Sequence, residues 1–367
     1  MANPYKIVFD SFHLYHLPQF DPVIDLLCKD ERFKLYFSTA SHNKPQELEL
    51  CVSILKNKPG ELILADSEET RALKIKALSP DVFICGWSRY EISKFVPDST
   101  LVGMIYHGIG VKPSYWKDNK KRLDIRFVEG EYRIEQLRQK GIKTDLALTG
   151  FTKLDPLFQG TDDKFQVLKK SLGLDSSKKT ILFAPTFYPS SIERFGMRFG
   201  DYTKDYNVIL KPHMWTYFLD AFSQYNLKHQ RELIYKLAEK FDHIKLLDPN
   251  EYNITPYYKI SDLLLTEASS TIFEMIALNK PVIVNRFFKL KLSHKLFRYR
   301  LYRKRLSKEM NNDLADFCVE MHRAKDLPYI LTTAIDKNHK KMDAMKEYQY
   351  KMLYKLDGKA SERVRDI

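Results

Sequence analysis

A chain of 367 residues is long enough for two packed cores, and 44% hydrophobic with 13% aromatic residues excludes a disordered polymer. The net charge of +13 calls for an anionic partner, whether nucleic acid, an anionic membrane surface or a phosphorylated substrate. Four scattered cysteines (Cys28, Cys51, Cys85, Cys318) form no Cys-x-x-Cys pair, which excludes a disulfide framework and a structural zinc. No basic and apolar leader precedes Lys6, and no apolar run approaches the ~20 residues that cross a bilayer, so the reading is a cytoplasmic protein.

Apolar runs of strand length fall at 6–12, 33–39, 61–65, 81–86, 101–106, 125–129 and 146–149. Helical patterns lie between them at 22–29, 46–56, 68–78 and 132–140. Near-continuous apolar strands alternating with helices predict a parallel sheet covered on both faces. The polar stretch Gln159-Gly-Thr-Asp-Asp163 opens a second series, with strands at 180–184, 207–210, 244–247, 262–266 and 281–285. Helices are predicted there at 164–172, 230–241, 270–278 and 339–356. The fold class is therefore α/β, with two Rossmann-like doubly wound domains over 1–158 and 159–335 and a C-terminal helical segment over 336–367. Ligands of such sheets bind beyond the carboxyl ends of the strands, which places the expected site in a cleft between the domains.

The densest basic run holds Lys289, Lys291, Lys295, Arg298, Arg300, Arg303, Lys304, Arg305 and Lys308. Leu292, Leu296, Tyr299, Tyr302 and Leu306 form one stripe within it at helical spacing. Such a helix either lies on an anionic membrane, with Lys295, Arg298, Arg303, Lys304 and Arg305 near the headgroups, or packs its stripe on its own domain. No nucleic-acid-binding module accompanies the run, and no nucleic-acid partner is expected.

Four segments at strand ends carry candidate chemistry. Tyr106-His-Gly-Ile-Gly-Val-Lys112 leaves His107 at a sheet edge, as a proton acceptor near neutral pH or as a hydrogen-bonded structural histidine. Gly-x-Gly-x-x-Gly is absent, so these glycines are not a dinucleotide fingerprint. Val208-Ile-Leu-Lys211-Pro-His213 sets two potentially cationic side chains just past a buried-type strand, where a diphosphate could be met. In Asp262-Leu-Leu-Leu-Thr266-Glu-Ala-Ser-Ser270-Thr-Ile-Phe-Glu274 a strand runs into a helix start at 269–271, a phosphate site through its hydroxyls and N–H groups. Thr271-x-x-Glu274 also reads as a plain capping box. Thr180-Ile-Leu-Phe-Ala-Pro-Thr186-Phe ends a strand with a hydroxyl directed toward the same cleft.

Taken together, His107-Gly-x-x-x-Lys112, Ala184-Pro-Thr186-Phe, Lys211-x-His213 and Asp262-x-x-x-Thr266-x-x-Ser269-Ser270-x-x-Phe273-Glu274 resemble the CDP-glycerol glycerophosphotransferases of teichoic-acid synthesis. The closing Asp357-Gly-Lys-Ala-Ser-Glu-Arg363 is similar to that family's C-terminal end. The resemblance implies a GT-B arrangement with the donor held mainly by the second domain. It also implies an enzyme at the inner face of the membrane that moves a polyol phosphate from a CDP-linked donor to a lipid-linked or polymeric acceptor, releasing CMP. By the same resemblance His107 is the general base, with Gly108 and Lys112 beside it on the acceptor side, and His213 is the second catalytic group. The resemblance implies that Lys211, His213, Ser269 and Ser270 hold the donor's phosphates and that Glu274 reaches the ribose or a phosphate-ligating group; Thr186, Thr266, Glu267 and Thr271 are further donor-site candidates beside them.

The residues' own chemistry agrees with phosphoryl transfer, which needs positioning and charge neutralisation more than covalent help from the protein. No apolar-flanked Asp-x-Asp offers a metal site, so neither a metal nor a protein-bound cofactor is expected. The chain departs from the family pattern at Ile109-Gly110-Val111 (commonly Thr-Pro-Leu), Glu267-Ala268 (Asp-Tyr), Tyr188-Pro189 (often an arginine) and Met214 (proline). The polyol, the acceptor and the oligomeric state stay open. So do three other readings: a GT-B glycosyltransferase using a UDP- or CMP-sugar, a nucleotide-sugar epimerase of related fold, and a non-catalytic protein binding polyanions or membranes.

Overall fold

Every residue of the strand Thr180–Ala184 is buried, and a strand buried on both faces requires helices above and below its sheet. The computed structural model describes residues 3–41, 43, 45–87, 91–109, 122–160, 162–218, 227–267, 269–297, 299, 314–335 and 338–367. Two parallel sheets organise them. The first contains β1 (Tyr5–Ser11), β2 (Phe33–Thr39), β3 (Glu61–Ile63), β4 (Val82–Cys85), β5 (Leu101–Ile105), β6 (Ile125–Val128) and β7 (Asp145–Leu148). Its spatial order is β3-β2-β1-β4-β5-β6-β7. The second contains β8 (Thr180–Ala184), β9 (Asn207–Leu210), β10 (Ile244–Leu246), β11 (Leu263–Thr266), β12 (Val282–Asn285) and β13 (Val319–Met321), in the order β10-β9-β8-β11-β12-β13.

In both sheets the chain winds outward one way and then the other, so the order reverses between β1 and β4 and again between β8 and β11. Loops leaving adjacent strands diverge at such a reversal, and the crevice they open is where ligands of doubly wound sheets bind. Registers place the strand ends level with one another: Asp10 opposite Cys85 in the first sheet and Thr266 opposite Ala184 in the second.

The chain divides into one unit of residues 1–109, 114–159 and 350–367 and another of 110–113 and 160–349. Residues 350–367 thus return to the first unit, whereas the sequence set 336–367 apart as one segment. The reason is local: Asp155 Oδ1 accepts from the Ala360 backbone N–H (3.0 Å), and its Oδ2 accepts from Ser361 N–H (2.7 Å) and Oγ (2.6 Å), holding the start of the helix Ala360–Asp366. Gly130 lies against the Met352 and Leu353 backbone, where a Cβ would collide with the Met352 carbonyl. Among the described residues, no helix is long and apolar enough to cross a membrane.

Candidate active site

Three strand ends meet at the reversal of the first sheet. β1 continues into His13 and His16, β4 into Gly86 and Trp87, and β5 into Tyr106 and His107. His107 Nδ1 lies 3.0 Å from the Gly86 carbonyl oxygen, so Nδ1 carries the proton and donates it, and Nε2 is the basic nitrogen. The half-buried His107 ring packs on His16 (centroids 4.8 Å) and meets Tyr15 edge-on (5.4 Å).

His16 is fully buried, and neither ring nitrogen has a hydrogen-bond partner among the described residues. Burial first, then the neighbouring His107 and His13, push its pKa well below 6.5, so its ring stays neutral. Beyond it, His13 Nδ1 lies 3.1 Å from Glu47 Oε1. Gly86 has to be glycine here, because a Cβ would sit 2.9 Å from His16 Cγ. Gly108 is buried and its carbonyl accepts from Arg133, which is paired with Glu129 at 2.7 Å. Sequence reasoning missed His13, His16 and Gly86, which only the crossovers bring to His107. The available signal was His13-Leu-Tyr-His16 directly after the first strand.

The reversal of the second sheet is built from hydrogen bonds. Thr266, the last residue of β11, donates its hydroxyl to the Ala184 carbonyl at the end of β8 (2.7 Å). Glu267 is buried beside it: Oε2 accepts from the Thr186 N–H (2.6 Å), and Oε1 accepts from the Ser191 N–H (3.0 Å) and hydroxyl (2.5 Å). Asn285, at the end of β12, donates to the Ser191 hydroxyl at 2.8 Å. Burial raises the Glu267 pKa from 4.5 to about 7 against these bonds, which lower it.

Ser269 and Ser270 follow, both half-buried, and the helix Thr271–Ile276 starts there because Ile272, Phe273 and Ile276 pack inward. The expected capping box is not formed. Ser270 is the N-cap without a side-chain bond, and Glu274 is fully buried with its Oε2 accepting from the Tyr258 hydroxyl at 2.8 Å. Ser269 Oγ instead accepts weakly from Thr271 N–H at 3.4 Å.

β9 delivers the buried Lys211 and the half-buried His213, whose backbone N–H donates to the Pro185 carbonyl at 3.1 Å. His213 Nδ1 accepts from the Trp215 N–H at 3.2 Å, so a neutral His213 carries its proton on Nε2. The rings of Phe187 (4.9 Å) and Trp215 (5.3 Å) flank it. The half-buried Thr186 donates its hydroxyl to the Pro189 carbonyl.

Lys211, His213, Thr186, Ser269, Ser270 and Thr271 therefore converge at the carboxyl ends of the neighbouring strands β9, β8 and β11. Thr266, Glu267 and Glu274 need correction. Their side chains turn into the interior and bond protein groups, so they hold the strand ends and helix rather than line the site. A carboxylate facing a diphosphate would also repel it. Lys112, Arg298, Arg303, Lys304 and Arg305 lie outside the described residues. Lys295 sits on the short helix Leu292–Leu296; of the expected stripe, Leu292, Leu296 and Tyr299 are 70%, 68% and 58% exposed, and Tyr302 and Leu306 lie outside the described residues. Among the described residues no group of three or more His, Cys, Asp or Glu could hold a metal ion.

A model of the family described as CDP-glycerol:poly(glycerophosphate) glycerophosphotransferase matches residues 138–367, which include every residue named at the second sheet and exclude His107. A teichoic acid poly(glycerol phosphate) polymerase of Bacillus spizizenii is 26% identical over 147 residues, 37% of this chain and 33% of that protein. The chain thus spans about a third of the length of that curated relative. Among solved structures, the wall teichoic acid polymerase TagF superimposes with a TM-score of 0.70 at 16% identity, over 98% of this chain and 87% of that one. A UDP-N-acetylglucosamine 2-epimerase does so with a TM-score of 0.57 at 16% identity, over 99% and 95%. At such identities the likeness is one of fold: α/β, two doubly wound sheets, of the GT-B type.

Proposed function

This chain belongs to the CDP-glycerol:poly(glycerophosphate) glycerophosphotransferase family, and on that premise we propose that it transfers a polyol phosphate, glycerol phosphate first among them, from a CDP-linked donor to an acceptor hydroxyl. The acceptor is polymeric or lipid-linked and the leaving group is CMP. The observation that carries the reading is the family match over residues 138–367, which takes in the strand ends bearing Lys211, His213, Ser269 and Ser270.

In this reaction the acceptor oxygen attacks the phosphorus that bears the polyol, and the bond from that phosphorus to the CMP oxygen breaks. His107 Nε2, kept basic by the Nδ1 bond to Gly86, takes the hydroxyl proton. On the donor side, Lys211 offsets charge growing on CMP, and His213 donates from Nε2. The hydroxyls of Ser269, Ser270 and Thr186 orient the diphosphate. Direct competition between CDP-polyols and UDP-sugars, read as nucleotide release, tests the donor class.

The basic segment serves to hold the enzyme on an anionic membrane surface at the cytoplasmic face. Exposure of Leu292, Leu296 and Tyr299 beside Lys289, Lys291 and Lys295 supports this over packing of the stripe on its own unit. Vesicle flotation with and without anionic lipid tests it.

A further inference from the structure

We propose that Glu267 is a positioning residue for the donor site, a carboxylate clamp that fixes the loop after β8 against the ends of β11 and β12. The inference rests on the reading of Lys211, Ser269 and Ser270 as donor contacts, and adds what sets their surroundings. Glu267 stands two residues before Ser269 and is buried, so it cannot itself meet a ligand. Its two oxygens divide their work. Oε2 takes the backbone N–H of Thr186, the residue just beyond β8 that presents a half-buried hydroxyl. Oε1 takes both the N–H and the hydroxyl of Ser191, and Asn285 fixes the same hydroxyl from β12. One side chain thus ties the start and the end of the loop 185–191 to the strand that leads into Ser269.

The loop carries more than Thr186. Pro185, its first residue, receives the His213 N–H, and Phe187 packs on the His213 ring, so the loop's position also sets that of His213. Three donors converging on one buried carboxylate suit its ionised, acceptor-only form, which burial reserves for pH above about 7. Glutamine has the same shape but must turn an N–H₂ toward either Thr186 or Ser191, where a donor already points. Aspartate is shorter by one methylene and cannot reach both ends of the loop at once. A loop displaced by about 1 Å loses about 100-fold in a well-aligned site.

The experiment measures donor KM and kcat separately, with CDP-glycerol as the donor, for Glu267→Gln, Glu267→Asp and Ser191→Ala. Expected for Glu267→Gln is a donor KM raised about 10-fold or more, with kcat lowered as well because His213 moves with the loop, about 100-fold together in kcat/KM. Glu267→Asp should lie between Gln and wild type. Ser191→Ala, which keeps the Thr186 arm, should raise KM a few-fold and add little on top of Glu267→Gln. If Glu267→Gln fails to fold, the KM of Ser191→Ala decides. An unchanged donor KM in folded variants, even with a lowered melting temperature, would reduce Glu267 to a structural support and overturn the proposal. Lys211→Met separates the two levels. If it too leaves donor KM unchanged, the donor site lies elsewhere; if it weakens the donor while the Glu267 and Ser191 variants do not, only the clamp fails.

Discussion

His107 and His213 each follow a strand of their own sheet but hold opposite tautomers, because one Nδ1 faces a carbonyl and the other faces an N–H. A basic Nε2 suits the acceptor hydroxyl, and a protonated Nε2 suits a leaving phosphate. His107→Ala is expected to lower turnover by about two to four orders of magnitude with folding nearly unchanged, checked by steady-state kinetics beside thermal melting. Two buried groups give stability opposite slopes with pH. The raised pKa of Glu267 means that the native state holds a proton between 4.5 and about 7 that the unfolded chain releases. Its contribution is therefore full below 4.5 and falls by on the order of 3 kcal/mol as pH rises to about 7. His16 runs the other way: the unfolded chain takes a proton below 6.5 that the buried ring refuses, so stability falls as pH drops through that value. Urea unfolding from pH 4.5 to 8 should show the Glu267 slope vanish in Glu267→Gln and the His16 slope vanish in His16→Phe. Residues presented at strand ends were legible in the sequence. Their buried supports, such as Glu267 and Glu274, were not told apart from ligand contacts, because a carboxylate beside a serine motif looks the same facing in or out.

At the scale of elements, long apolar runs were read well: β2, β8 and β9 span 33–39, 180–184 and 207–210 as expected, and the helix Glu68–Leu78 matches its pattern. Ser67 caps that helix through the Thr70 N–H at 3.1 Å, a signal of the kind sequence carries. The three-residue β13 and the six-residue helix Thr255–Ile260 were missed, being too short to show a period. The terminal helix Ala360–Asp366 lies inside the expected helical segment 336–367, but its separate start was not read, because Asp155 caps it from far away in sequence. Asp155→Ala is expected to destabilise the protein by about 2 kcal/mol in urea unfolding, since it strips acceptors from two buried N–H groups. For the basic segment, replacing Lys295, Arg298, Arg303, Lys304 and Arg305 by glutamine should weaken binding to anionic vesicles by about 1 kcal/mol per charge. Turnover on a soluble acceptor should survive; vesicle binding that never occurs, or that ignores the substitutions, would remove the membrane role.

On the scale of the whole molecule, the two sheets repeat one device. Each reverses its winding at a central pair of strands, and each gathers its polar side chains where the loops diverge. The first gathers the imidazoles of His13 and His16 around His107, and the second gathers Lys211, His213 and hydroxyls, the division that the proposed reaction needs between proton acceptor and anion site. The family match spans the second set and stops short of His107, so the proposed roles of both sets stand on their local geometry. The most direct measurement is CMP release from CDP-glycerol by the wild-type chain and by His107→Ala and Lys211→Met, with a poly(glycerol phosphate) acceptor and with UDP-N-acetylglucosamine as the competing donor. The expected result is acceptor-dependent CMP release that collapses in His107→Ala, a raised donor KM in Lys211→Met, and no UDP or UMP from the sugar nucleotide. Turnover of the UDP-sugar with CDP-glycerol and a panel of other CDP-polyols left intact, or undiminished CMP release from His107→Ala, would contradict it.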